Sequence, residues 1–201
     1  MTNQAALEGD QEAARHEVLA RALEMAAKHG WYDLSLVALA EDCGLTVNDL
    51  RRVFPDTNTI ADAWFASALE DMLSPMPEDS KEWAVRKRLD FVLWRWFEAL
   101  APHHGVTVEM LKAKLHLPHI HHWAPMPFDL SRLVQLWRDA AGLRSGGRRR
   151  QVEEISLTAI FLATLADWCR DSSSGQTWTH QRLSRRLDRA ERAAASCFGP
   201  R

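Results

Sequence analysis

The segment LSLVALAEDCGLTVNDLRRVF, residues 34–54, constrains this chain most. Leu36, Leu39 and Ala40 recur at helical spacing before Gly44, and Val47, Leu50 and Phe54 recur after it, so each side reads as a short amphipathic helix. Ser35 and Thr46 stand where a helix needs a side-chain oxygen for its first free amides, Gly44 where the chain needs a left-handed stop, and Pro55 where the second helix must end. Ala40 is small enough for the two helices to cross closely. Two short crossed helices joined by a tight turn make a helix-turn-helix, whose second helix enters the major groove of DNA. On that reading the groups that could face DNA are Ser35, Thr46, Asn48, Arg51, Arg52 and Thr57. Asparagine can pair bidentately with adenine and arginine with guanine, each pair contributing about 1–3 kcal/mol of discrimination.

The remaining sequence predicts helices only. Residues 14–29 place Val18, Leu19, Ala22, Leu23 and Ala26 on one stripe and stop at Gly30. A fourth helix runs from Thr57 or Asn58 to about Met72, with Ile60, Ala61, Trp64, Phe65 and Leu69 inward. The stretch SPMPEDS, residues 74–80, reads as a linker. Beyond it come a helix over 81–100, two or three shorter ones over 105–141 broken by prolines 118, 125 and 127, and long helices over 148–170 and 177–195. The expected class is all-α with about nine helices: a helix-turn-helix domain over 12–72 and a helical domain over 80–197.

Charge complicates the DNA reading. The chain carries a net −2, yet its first 75 residues hold five Lys/Arg against thirteen Asp/Glu. A polyanion-binding surface usually carries the opposite sign. The three cysteines, Cys43, Cys169 and Cys197, are too scattered for a disulfide framework or a zinc motif. The longest apolar run, 157–168, is too short to span a bilayer, and the polar, acidic amino terminus lacks a signal-peptide core. A cytoplasmic protein without a membrane span is expected. No nucleophile elbow, P-loop or dinucleotide fingerprint occurs, so neither an enzyme nor a cofactor is expected.

These residues resemble the TetR family of regulators, whose amino-terminal pattern runs T-x-x-x-[IL]-A-x-x-A-G-[VL]-[ST]-x-x-x-[LF]-Y-x-x-F-x-x-K. Leu39, Ala40, Gly44, Leu45, Thr46, Leu50 and Phe54 match its structural positions. Arg51 stands where the family commonly has a phosphate-touching Tyr, and Thr57 where its fourth helix opens with a Lys. The resemblance implies a homodimeric, ligand-responsive repressor that binds a double-stranded operator. It also implies that the last two long helices form the dimer bundle, through Val152, Ile155, Ala159, Leu183, Leu187 and Ala190. A hydrophobic small molecule or lipid would then lie among Trp94, Phe97, Met110, Trp123, Phe128, Trp137 and Phe161. Six histidines at 103, 104, 116, 119, 121 and 122 have irregular spacing and no close carboxylate but Glu109, so no metal site is expected.

A second resemblance runs through VLARALEMAAKHGW, VRKRLDFVLWRWFEALAPHH and LWRDAAGLRS…SLTAIFLATLADWCRDSSSGQTWTHQRLSRRLDRA. These segments look like the TetR-fold lipid-binding accessory proteins of ubiquinone biosynthesis. That likeness implies a helix-turn-helix unused on DNA, a bound isoprenoid lipid, and a docking surface containing Trp137. The chain ends soon after residue 195, without the separate amphipathic membrane helix of those proteins.

Overall fold

The computed structural model describes residues 2–115 and 126–199 and places nine α-helices, with no strand, among them. In chain order they are α1 (Thr2–His29), α2 (Leu36–Asp42), α3 (Val47–Val53), α4 (Thr57–Leu73), α5 (Val85–Leu100), α6 (His104–Leu115), α7 (Met126–Ala140), α8 (Gly147–Trp168) and α9 (Thr177–Phe198). The all-α expectation holds. Two boundaries differ from the sequence reading, each for a local reason. Helix α1 begins at Thr2 rather than near residue 14. Its first turns are rich in Ala, Gln and Glu, which favour helix, and among the side chains described the first buried apolar one is Val18. Helix α5 begins at Val85 rather than residue 81. Glu78–Glu82 form a 3-10 turn and Trp83 is extended, with its indole donating to Asp79 at 3.0 Å.

The chain divides into two compact units. One comprises residues 1–67 and 102–117, the other residues 68–101 and 118–201. In the first, Val18, Leu19, Ala22, Leu23 and Ala26 of α1 pack with Leu39, Ala40, Leu50, Phe54, Ile60 and Ala61, and with Val106 and Met110 of α6. Helix α6 therefore shares the core of the helix-turn-helix, although the sequence reading put it with the second domain. Polar ties reinforce this: the Trp31 amide donates to Glu109 at 2.6 Å, and the Trp64 indole to the Thr107 hydroxyl at 2.9 Å.

In the second unit α5 packs against α7 and α9, and α8 packs against both α7 and α9. Trp96, Phe97, Phe161 and Trp168 interlock at its centre, Trp96 lying edge-on to Phe161 with ring centroids 5.5 Å apart. Asp167 on α8 accepts from both Arg182 and Arg186 on α9, and Asp90 on α5 accepts from Ser184 and meets His180. Helix α9 starts under a carboxylate cap. Asp171 accepts from the amide and hydroxyl of Thr179 at 2.8 and 2.6 Å, and from those of Ser173. Burial pushes this carboxyl up, but those hydrogen bonds outweigh it and bring it down to about 2.

Three expectations are corrected here. Leu183 and Leu187 do not line a free seam: both are buried inside their own unit, and Ala190 is half-buried beside them. Met110 is fully buried in the first unit's core, apart from the aromatic cluster of the second. Trp137 is fully buried and donates its indole N–H to the Leu89 carbonyl at 2.8 Å, so it cannot form part of a docking surface.

Candidate nucleic-acid interface

Ser35, Thr46, Asn48, Arg51, Arg52 and Thr57 all fall on the short path from the start of α2 to the start of α4, within the first unit. All but the half-buried Thr57 are exposed. The turn that brings α2 and α3 together is a Schellman closure. Gly44, at φ +65°, donates to the Glu41 carbonyl at 3.1 Å, and Leu45 donates to that of Ala40 at 2.8 Å. Fully buried Leu39, Ala40, Leu50 and Phe54 then fix the crossing from below and leave the polar face of α3 outward.

Those outward groups are not equally free. The Thr46 hydroxyl accepts from the Asp49 amide at 3.1 Å and donates to the Asp49 carboxylate at 2.6 Å, a variant of the capping box. The same carboxylate takes the Arg52 guanidinium at 2.6 Å. Ser35 accepts from the Val37 amide, which leaves its hydroxyl hydrogen available. Asn48 and Arg51 have no hydrogen-bonding or ionic partner among the described residues. At the start of α4 the Asp56 carboxylate accepts from the Thr59 amide at 2.8 Å, so an acid caps the helix that family members open with a Lys.

One cation escaped the sequence reading. Arg15 of α1 lies over the Phe54 ring, 4.8 Å from its centroid, which brings a guanidinium to the carboxy-terminal end of α3. Their separation of 39 residues carries no local signal. At the end of α2, burial and then neighbouring Asp42 push the Cys43 thiol up, which favours its protonated form. Arg21 holds Asp42 from α1 and so pins that end of α2.

Of the expected ligand-pocket residues, Trp94, Phe97, Trp137 and Phe161 are buried in the second unit, and Trp94 lies 6.0 Å from Phe97. Phe128 falls within α7, while Trp123 and histidines 116, 119, 121 and 122 lie outside the described residues. An open depression of about 470 Å³ is lined by Val85, Gly142, Arg144, Ser145, Gly146 and Arg149. No group of three or more His, Cys, Asp or Glu that could hold a metal occurs among the described residues. Nor is any described helix long and apolar enough to cross a membrane.

No protein-family model and no curated protein matches the sequence. Solved structures do. The TetR transcriptional regulator from Nitrosomonas europaea ATCC 19718 aligns with a TM-score of 0.79 and 31% identity, over 89% of this chain and 98% of that one. A TetR transcriptional regulator from Rhodococcus sp. RHA1 shares the fold at a TM-score of 0.62 and 17% identity, over 89% and 95% of the two chains. The helix-turn-helix geometry and the near-complete alignment at 31% identity agree: the chain belongs to the TetR family of transcriptional regulators.

Proposed function

We propose that the protein is a DNA-binding repressor, two copies of which place α3 in successive major grooves of a palindromic operator. The observation that carries this reading is the outward face of α3. Asn48 and Arg51, the two side chains best suited to read adenine and guanine, are exposed and unpartnered on a helix whose opposite side is locked into the core. Homodimerisation would use α8, whose Val152, Ile155, Ala159, Leu162 and Ala166 form an exposed apolar stripe at three-to-four spacing.

Control by a hydrophobic ligand in the second unit is part of the same proposal, and the route of the chain supports it. Helix α6 belongs to the first unit, while the segments on either side of it belong to the second. A ligand that shifts those flanking segments acts on α6, and α6 is tied to α1 through Glu109 and to α4 through Thr107. Such a ligand changes DNA affinity only through a difference in its affinity for the two states. The reading is tested by titrating the protein into duplexes covering the DNA that flanks its own gene. Saturable binding that weakens with salt supports it, whereas no binding at low ionic strength refutes it.

A further inference from the structure

We infer that Asp49 is a built-in attenuator of DNA affinity, holding the recognition helix below the phosphate attraction its own arginines could supply. This inference rests on the DNA-binding reading. Three cations lie on or beside α3, and two are already engaged. Arg52 pairs with Asp49, and Arg15 lies over Phe54. Of the three, Arg51 alone has no partner among the described residues.

Asp49 acts in two ways at once. It sets a negative charge on the face that must approach phosphates. It also accepts the Thr46 hydroxyl hydrogen, which is then unavailable to a phosphate or base. The exposed Arg52–Asp49 pair is itself weak, since water competes for both groups. The attenuation therefore comes mainly from the fixed charge, which the reciprocal bonds with Thr46 hold in place. Asp56 does the same at the next helix start, capping α4 with a carboxylate.

The test compares the full-length wild type with D49N on a mixed-sequence duplex and on duplex from beside its own gene, across 50–200 mM salt, roughly the range over which phosphate contacts dominate. Two recognition helices, each relieved of one fixed negative charge, steepen the log–log salt slope by about 2 in total. The advantage of D49N over wild type then shrinks about tenfold across that range. The gain should appear on both duplexes and persist when D49N/R52A is compared with R52A. The D49S variant, whose hydroxyl can still meet Thr46, should show the same gain, and circular dichroism should report unchanged helicity for both. Unchanged affinity of the folded variants overturns the inference. So does a loss confined to one sequence, which would make Asp49 a base-reading group. If wild type and D49N both leave every duplex unbound at the lowest salt, the DNA-binding reading itself fails, and the inference with it.

Discussion

Arg51 and Arg52 are adjacent and identical in type, yet their surroundings separate their roles. Arg52 is met by Asp49 three residues earlier on the same helix, while Arg51 projects without a partner. Replacing Arg51 by Ala should therefore weaken operator binding by about 1–3 kcal/mol, the usual cost of losing a guanidinium contact. Replacing Arg52 should change it several-fold less, and fluorescence anisotropy on one labelled duplex would compare the two. Equal losses would show that the ion pair dissolves on binding. Part of this was legible in the sequence, because caps are local: Thr46 was readable as the cap of α3. The Arg15–Phe54 contact was not, since nothing in either neighbourhood marks a partner 39 residues away.

Among the elements, α8 and α9 show what periodicity can and cannot tell. The stripe of Leu183 and Leu187 was visible as a face that needs cover, but a 3.6-residue period does not say what covers it. It faces its own chain. Helix α8 carries two apolar stripes: Leu157, Ile160, Phe161 and Trp168 turn inward, while Val152, Ile155 and Leu162 stay exposed. Ile155, at 71% exposed, is the most open of these. A carboxylate introduced there by I155D should shift the protein from dimer to monomer in sedimentation, with little effect on monomer melting; a dimer that persists would place the interface elsewhere.

The start of α9 makes a separate prediction. Because folding lowers the Asp171 carboxyl to about 2, its contribution is fully present above the ordinary carboxylate range and is lost as pH falls through the folded value. D171A should cost about 2 kcal/mol at neutral pH, from the size of that shift together with the lost cap. The difference from wild type should narrow as pH is lowered below about 4, which thermal melts from pH 5 to 3 would follow. A gap independent of pH would mean that the hydrogen bonds, not the charge, carry the effect.

For the whole molecule, the helix-turn-helix and the all-α class could be read directly, because short-range caps, stops and stripes specify them. The membership of α6 could not. Val106 and Met110 look like any helical apolar pair, and only the tertiary arrangement joins them to Leu23, Leu50 and Phe54. The chain enters and leaves α6 from segments of the other unit.

On the proposed reading α3 meets DNA through Arg51 and Asn48. A salt titration of wild type and the double variant N48A/R51A against duplex flanking the protein's own gene puts this to the test. Saturable wild-type binding that weakens linearly in log salt, lost in the double variant while helicity is retained, is the predicted result. Identical curves for the two proteins, or no wild-type binding at the lowest salt, would contradict it.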